Sequence, residues 1–217
     1  DPPYEIQGKF WTVSLERTVT PELGIGAIHK PLQRPHPPIA VPTINRNSAG
    51  LKMAGARGFL PFSHHLASVE TLVNHWETYS AGAKSAGREP RPEDWKVSRN
   101  IFVADTTAEA RRIARANSLG RCIQYILDLT RRWGNIAMWK RDPTMSDAEC
   151  NLDYFMNEIV IAGDPAEVTR QLRELRERIG PFGTLVMVAH DWDDKARWLH
   201  SLELFATEVM PAFRNVS

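Results

Sequence analysis

Residues 158–180 read EIVIAGDPAEVTRQLRELRERIG, residues 181–194 read PFGTLVMVAHDWDD, and an amphipathic stretch follows that ends in EVMPAFR at 208–214. The first block opens as a short extended run and then carries the chemistry of a helix start, with Asp164 at the N-cap, Pro165 at the first helical position and Glu167 in the first turn. Val168, Leu172, Leu175 and Ile179 recur on one helical stripe, and Gly180 stops the helix. Thr184 to Ala189 is almost continuously apolar, which predicts a strand covered by helices on both faces. Trp198, Leu202, Phe205 and Val209 make the stripe of a closing helix. Strand and helix alternate here as they do in the last turn of an α/β barrel with parallel strands.

The same alternation extends upstream. Pro38 to Ile44 has strand length, Asn45 to Ser48 supplies a turn and an N-cap, and Ala49 to Arg57 is a helix that Gly58 ends. Phe59 to Phe62 is a second strand running into Ser63, His64 and His65. A helix from about Ser68, with Val69, Leu72, Val73, Trp76 and Ala83 at helical period, ends at Gly87. Trp95, Val97, Ile101 and Val103 bracket a third strand, after which Thr106 and Glu109 form a capping box. Ile123, Ile126, Leu127 and Thr130 continue a helix towards Trp133, and 133–153 reads as irregular. The first 38 residues hold seven prolines, which deny long helix and predict an extended loop with a hairpin near Gly8-Lys9-Phe10-Trp11. One domain over 1–217 is predicted, with 1–38 as loop or hairpin and 39–217 as strand–helix units.

Lys plus Arg number 27 against 26 Asp plus Glu, so no strong field attracts nucleic acid or an anionic membrane surface. No apolar run reaches membrane-spanning length. Two cysteines, Cys122 and Cys150, without C-x-x-C spacing argue against a disulfide framework or a cysteine zinc site and fit a reducing cytoplasm. A complete eight-stranded barrel takes about 250 residues, more than this chain has once its irregular segments are set aside. Because the first residue is Asp1 and not Met, the chain is expected to begin part-way through a longer protein.

In parallel α/β folds the site gathers where strands end and helices begin. Four such ends are present: Asn45 to Ser48, Ser63 to His65, Asp105 to Thr107, and His190 to Asp194. Asn47 and Ser48 stand at a helix start whose free N–H groups favour an anion, although Ser48 also reads as an ordinary N-cap. His64 and His65 are placed to donate hydrogen bonds or to stack; a structural pair, or a metal site with His190, are the competing readings. Trp192 can wall an aromatic ligand, while Asp191, Asp193 and Asp194 read as helix caps or as groups that orient a proton donor.

Gly8-Lys9-Phe10-Trp11, Pro37-Pro38-Ile39, Ala54-Gly55-Ala56-Arg57-Gly58, Val103-Ala104-Asp105-Thr106 and the tail, taken in order, resemble the luciferase-like flavin monooxygenases. The resemblance implies a TIM (β/α)8 barrel of which this chain covers the second half, strands five to eight, with no counterpart of the first four. It implies a monooxygenase that oxidises a small organic substrate with oxygen and reduced FMN, the FMN being reduced by a separate flavin reductase. A sister branch uses a deazaflavin and moves hydride, and a non-catalytic flavin-binding module of the same fold is a further alternative. The resemblance places the flavin phosphate near the turn after the fifth strand, here Asn45, Asn47 and Ser48, and position at the strand ends adds Ser63 and His64 for the cofactor and His65, His190 and Trp192 for the substrate. No residue is assigned to catalysis and none to a metal. A half-barrel has two open sheet edges, so the chain is expected to associate, as a homodimer or with the missing half, and to be inactive alone.

Overall fold

The structure, a computed structural model, describes residues 5–15, 20–23, 26 and 31–213. Two units are distinguished, Asp1–Pro38 and Ile39–Ser217. In the first, Glu5–Gln7 (β1) and Thr12–Ser14 (β2) pair antiparallel, with Glu5 opposite Ser14. The Gly8 amide donates to the Trp11 carbonyl at 2.8 Å and closes the turn, where the hairpin was expected.

The second unit runs Ala40–Thr43 (β3), Ala49–Arg57 (α1), Leu60–Ser63 (β4), Val69–Ser85 (α2), Lys96–Val103 (β5), Thr107–Ala116 (α3), Ser118–Arg132 (α4), Leu152–Glu158 (α5), Ile161–Gly163 (β6), Pro165–Ile179 (α6), Thr184–Val188 (β7) and Lys195–Leu204 (α7). These five strands pair only in parallel, and β5 is their hub. Residues 96–97 of β5 meet β4, 96–100 meet β7 and 101–103 meet β6. Because β3 pairs only with β4, and β7 only with β5, the sheet of described residues is open and does not close into a barrel.

Local chemistry sets the boundaries. Ser48, Ser68, Thr106, Asp164 and Asp194 each accept a backbone N–H three residues on, and so start α1, α2, α3, α6 and α7. Gly58 takes a left-handed φ of 72° and ends α1, its amide and that of Phe59 donating to Gly55 and Ala54. Thr107 joins two strand ends: its hydroxyl donates to the Asp164 carboxylate at 2.8 Å and accepts the Asp164 amide at 3.1 Å.

The core has two parts on either side of β5. Val97, Ile101 and Val103 pack with Leu72 of α2 and with Val168, Leu172 and Leu175 of α6. Phe102 packs with Ile113, Ile123 and Phe155 and meets Trp198 edge-on at 5.1 Å.

Three sequence expectations need correction. Thr184 is exposed and Leu185 to Val188 are half-buried rather than covered on both faces, and no described strand occupies the outer edge of this strand. The segment 133–153 read as irregular contains a 3-10 turn, Ile136–Trp139, that buries Trp139 in the core. The closing helix does not run through as α-helix: residues 205–209 form a π-turn and 210–213 a 3-10 turn. Pro211 lacks an N–H and crowds the preceding turn, which explains the loosened end.

The close crossing of α1 and α2 depends on Gly55 and Gly82, where an added Cβ would lie well inside contact distance of backbone atoms of Tyr79 and Ala83, and of Lys52, respectively. Gly55→Ala or Gly82→Ala should destabilise the fold by about 1–3 kcal/mol through overpacking. At Gly50 a Cβ would meet only the Ser48 hydroxyl at 3.7 Å, so Gly50→Ala should range from neutral to about 1 kcal/mol more stable. Urea melts of the three variants check the contrast.

Candidate functional site at the strand ends

Two of the four expected strand ends, those at Ser63–His65 and His190–Asp194, bring side chains to neighbouring positions. His64 stacks on His65 at 4.1 Å between ring centroids, His65 meets His190 edge-on at 6.1 Å, and Trp139 lies 5.9 Å from His64. His190 follows β7, and its Nε2 lies 2.9 Å from Oδ1 of Asn100, a fully buried residue of β5. An amide oxygen only accepts, so this contact makes Nε2 the donor and leaves Nδ1 as an acceptor. The His64 Nδ1 accepts the Leu66 amide at 3.2 Å. His65 Nε2 and Asn100 Nδ2 are buried with no hydrogen-bond partner among the described residues. Buried polar atoms without a partner are uncommon, so these two mark this wall as a place where a polar partner is wanted.

The first strand end is built differently. Asn47 sits at φ 52°, in the left-handed region. Its amide donates to Asn74 Oδ1 at 2.7 Å while Asn74 Nδ2 donates to Asn47 Oδ1 at 3.0 Å, an amide pair that fixes the turn against α2. Ser48 Oγ accepts the Leu51 amide at 3.2 Å, which leaves the Ala49 and Gly50 amides without an intrahelical acceptor. Arg46 reaches across, donating through Nε to Thr71 at 3.0 Å and through Nη2 to the Arg141 carbonyl. With Asn45, Met138 and Lys140 it lines a cleft of about 290 Å³.

Ser63 is placed otherwise than the sequence suggested. It is fully buried, and its hydroxyl accepts Trp95 Nε1 at 2.9 Å and pairs with His75 Nδ1 at 3.0 Å. That hydroxyl ties β4 to α2 and to the start of β5. Trp192 is 43% exposed and makes no ring contact with the histidines among the described residues. Among the neighbouring acids, Asp194 caps α7, while Asp193 accepts the Ser118 amide at 2.9 Å and Arg121 at 2.7 Å. Asp105 pairs with His200 at 2.8 Å, away from the histidine wall.

Arg46, Asn100 and Trp139 were not anticipated. Arg46 stands inside the turn that was singled out, and Asn100 interrupts an apolar strand; either could have been flagged on that ground. Trp139 lay in the segment read as irregular and carried no signal.

Burial sets the electrostatics. It pushes His65 down to about 3, with the neighbouring His64, His190 and Arg99 adding to the fall. Burial likewise lowers His64, with help from Arg99, and lowers His190 against the opposing pull of Asp191. His75 falls to about 4 for the same leading reason. The wall is therefore neutral at physiological pH and offers hydrogen bonds, not charge. No group of three or more His, Cys, Asp or Glu side chains among the described residues is arranged to hold a metal ion.

Comparison with known proteins shows the family to which the chain belongs. The model of the luciferase-like monooxygenase family matches residues 2–181. The chain is 33% identical over 216 residues to 3,6-diketocamphane 1,6-monooxygenase of Pseudomonas putida, covering 96% of this chain and 57% of that protein. It is 31% identical over 182 residues to 2,5-diketocamphane 1,2-monooxygenase 1 of the same organism, covering 81% and 49%. A solved structure of the oxygenating constituent of 3,6-diketocamphane monooxygenase from P. putida, described as a type II Baeyer–Villiger monooxygenase in complex with FMN, superposes with a TM-score of 0.78 over 97% of this chain and 58% of that one. The chain thus spans about half the length of the curated relatives it matches.

The four depressed histidines make stability depend on pH in a set direction. Each titrates below the ordinary value of about 6.5, so the unfolded chain binds more protons than the native one under mildly acidic conditions, and stability falls as pH is lowered below that value. His200, raised by Asp105, acts in the opposite sense, and its contribution is lost as pH rises through its raised value. The urea midpoint should be lower at pH 5 than at pH 7.5, and His65→Gln should flatten the difference. An unchanged pH dependence in His65→Gln would show that this ring is not buried in its neutral form.

Proposed function

Because the chain belongs to the luciferase-like monooxygenase family, we propose that it is the part of an FMN-dependent monooxygenase that carries the phosphate turn and one wall of the ring pocket. The observation that carries this reading is the likeness, over nearly the whole chain, to an FMN-bound oxygenating constituent. The side chains fit such a group. The phosphate is assigned to the turn Asn45 to Ser48, where free amides at the start of α1 and the Arg46 guanidinium favour an anion. The ring system is assigned to His64, with the unused Asn100 Nδ2 as a further donor. Bound and reduced, FMN supplies the electrons that activate dioxygen.

His65 and His190 are assigned to the substrate. Neutral imidazoles in a water-poor wall orient an uncharged oxygen by hydrogen bonding without transferring a proton to it. The names of the relatives support a small organic substrate bearing a carbonyl. That one relative is described as an oxygenating constituent supports a separate flavin reductase as partner. Free Cys122 and Cys150 support a reducing cytoplasm, and the open edges of β3 and β7 support association as a homodimer.

An FMN titration followed by flavin fluorescence tests the cofactor reading. Ser48→Ala should weaken binding by about 0.5–2 kcal/mol, and Arg46→Met by about 1.5–3 kcal/mol, the range for a charged hydrogen bond. Riboflavin, which lacks the phosphate, should bind more weakly than FMN and be insensitive to both substitutions. Equal affinity for FMN in all three proteins would remove the turn from the site, and tighter binding of a deazaflavin than of FMN would favour hydride transfer instead.

A further inference from the structure

On the helix-covered face of the sheet, between the start of α2, the length of α6 and the segment 156–162, lies a second cleft of about 380 Å³. Arg99 of β5 is at its floor. We propose that this cleft binds a small organic carboxylate, held by the Arg99 guanidinium.

Arg99 is 1% exposed, its Nη1 donates only weakly to the Ser98 carbonyl at 3.3 Å, and its Nη2 has no partner among the described residues. Every other charged group lining the cleft is paired. Arg111 and Arg170 contact Glu167 at 3.4 and 2.8 Å, Arg170 also contacts Glu174 at 3.0 Å, Arg178 contacts Glu70 at 3.0 Å, and Glu158 is held by Arg141. The uncompensated charge is therefore Arg99. Burial lowers its pKa to about 10, so it remains cationic at neutral pH, and it has no counter-ion among the described residues. Leaving a buried charge unpaired is strongly unfavourable, and a guanidinium fork matches a carboxylate in two parallel hydrogen bonds.

The walls indicate the rest of the ligand. Val69, Met156, Ile161 and Leu175 are apolar, and the volume falls in the range of small-molecule sites rather than of a single inorganic ion. The cleft lies on the other face of the strand from the histidine wall, because successive residues of a strand point to opposite faces, although the Arg99 charge is still felt at His64 and His65. Asn100 meets His190 on one face. Arg99 shares the other with Val97 and Ile101, whose neighbours are on α2 and α6.

Thermal melts of the whole chain with benzoate as probe test the proposal, with benzyl alcohol as the neutral isostere and sodium chloride as the ionic-strength control. Benzoate should raise Tm saturably, with neither control doing so. His65→Gln should keep this response, whereas Arg99→Met should lose it. Should Arg99→Met fail to fold, Val69→Trp, which fills the cleft while leaving the charge in place, should weaken the apparent affinity at least tenfold. No saturable shift in the parent chain, an equal shift with benzyl alcohol, or an undiminished response in Arg99→Met or in Val69→Trp would overturn the assignment.

Discussion

The fold and both clefts depend on the burial of three consecutive polar residues, Ser98, Arg99 and Asn100, in the central strand β5. All three are at most 2% exposed. A buried polar side chain without a partner costs about 1–3 kcal/mol, and a charge costs more, so each of the three dictates what must stand beside it, and Arg99 Nη2 and Asn100 Nδ2 still lack a partner among the described residues. Ser98 donates to the Ser63 carbonyl at 2.5 Å and so holds the last residue of β4 against β5. His64 and His65 leave β4 from that fixed point. Asn100 takes His190 from the end of β7, and Arg99 turns the other way, to the helices. One strand thereby sets the position of the histidine wall on one face and of the cationic floor on the other.

That the histidines are neutral follows from which effect is larger. For His64, His65 and His190 desolvation comes first among the causes, and the carboxylate of Asp191 opposes it only at His190. Stacking His64 on His65 adds mutual repulsion if both are charged, so protonating one further disfavours protonating the other. A wall of this kind binds by geometry. With the ligands proposed for it, the wall would hold an oxygen or a ring nitrogen at a fixed distance while giving up no proton, as suits a reaction in which a cofactor brings the electrons and the protein supplies orientation and exclusion of water.

Much of this was legible in the sequence where local chemistry decides structure. The caps Ser48, Thr106, Asp164 and Asp194 and the stop at Gly58 each act through atoms within a few residues, and α1 and α6 follow from them directly. Strand ends could be located for the same reason, which put Asn47, Ser48, His64, His65 and His190 on the page. What could not be read were arrangements set by distant partners. Ser63 looks like any strand-end hydroxyl until Trp95 and His75 claim it. Trp139 reaches the site through a turn with no periodic signal, and Asn47 and Asn74, 27 residues apart, form their amide pair only once α1 and α2 cross at Gly55 and Gly82.

The open sheet carries one more physical consequence, because its two free edges are not equivalent. On β3, Pro42 has no N–H to offer, and the strand is short, so its outer edge is a weak template for another strand. On β7 no residue from Thr184 to Val188 is a proline, so every N–H that does not turn towards β5 is free to donate outward; four of the five residues are apolar, and Leu185 to Val188 are only half-buried. A further strand pairing with β7 would gain ladder hydrogen bonds and bury that apolar surface together, whereas pairing at β3 would gain less of both. Closure of the sheet, whether by another segment or by another copy, would therefore be favoured from the β7 side. That is the side next to His190, so the same contact that satisfies the edge would also remove water from the histidine wall.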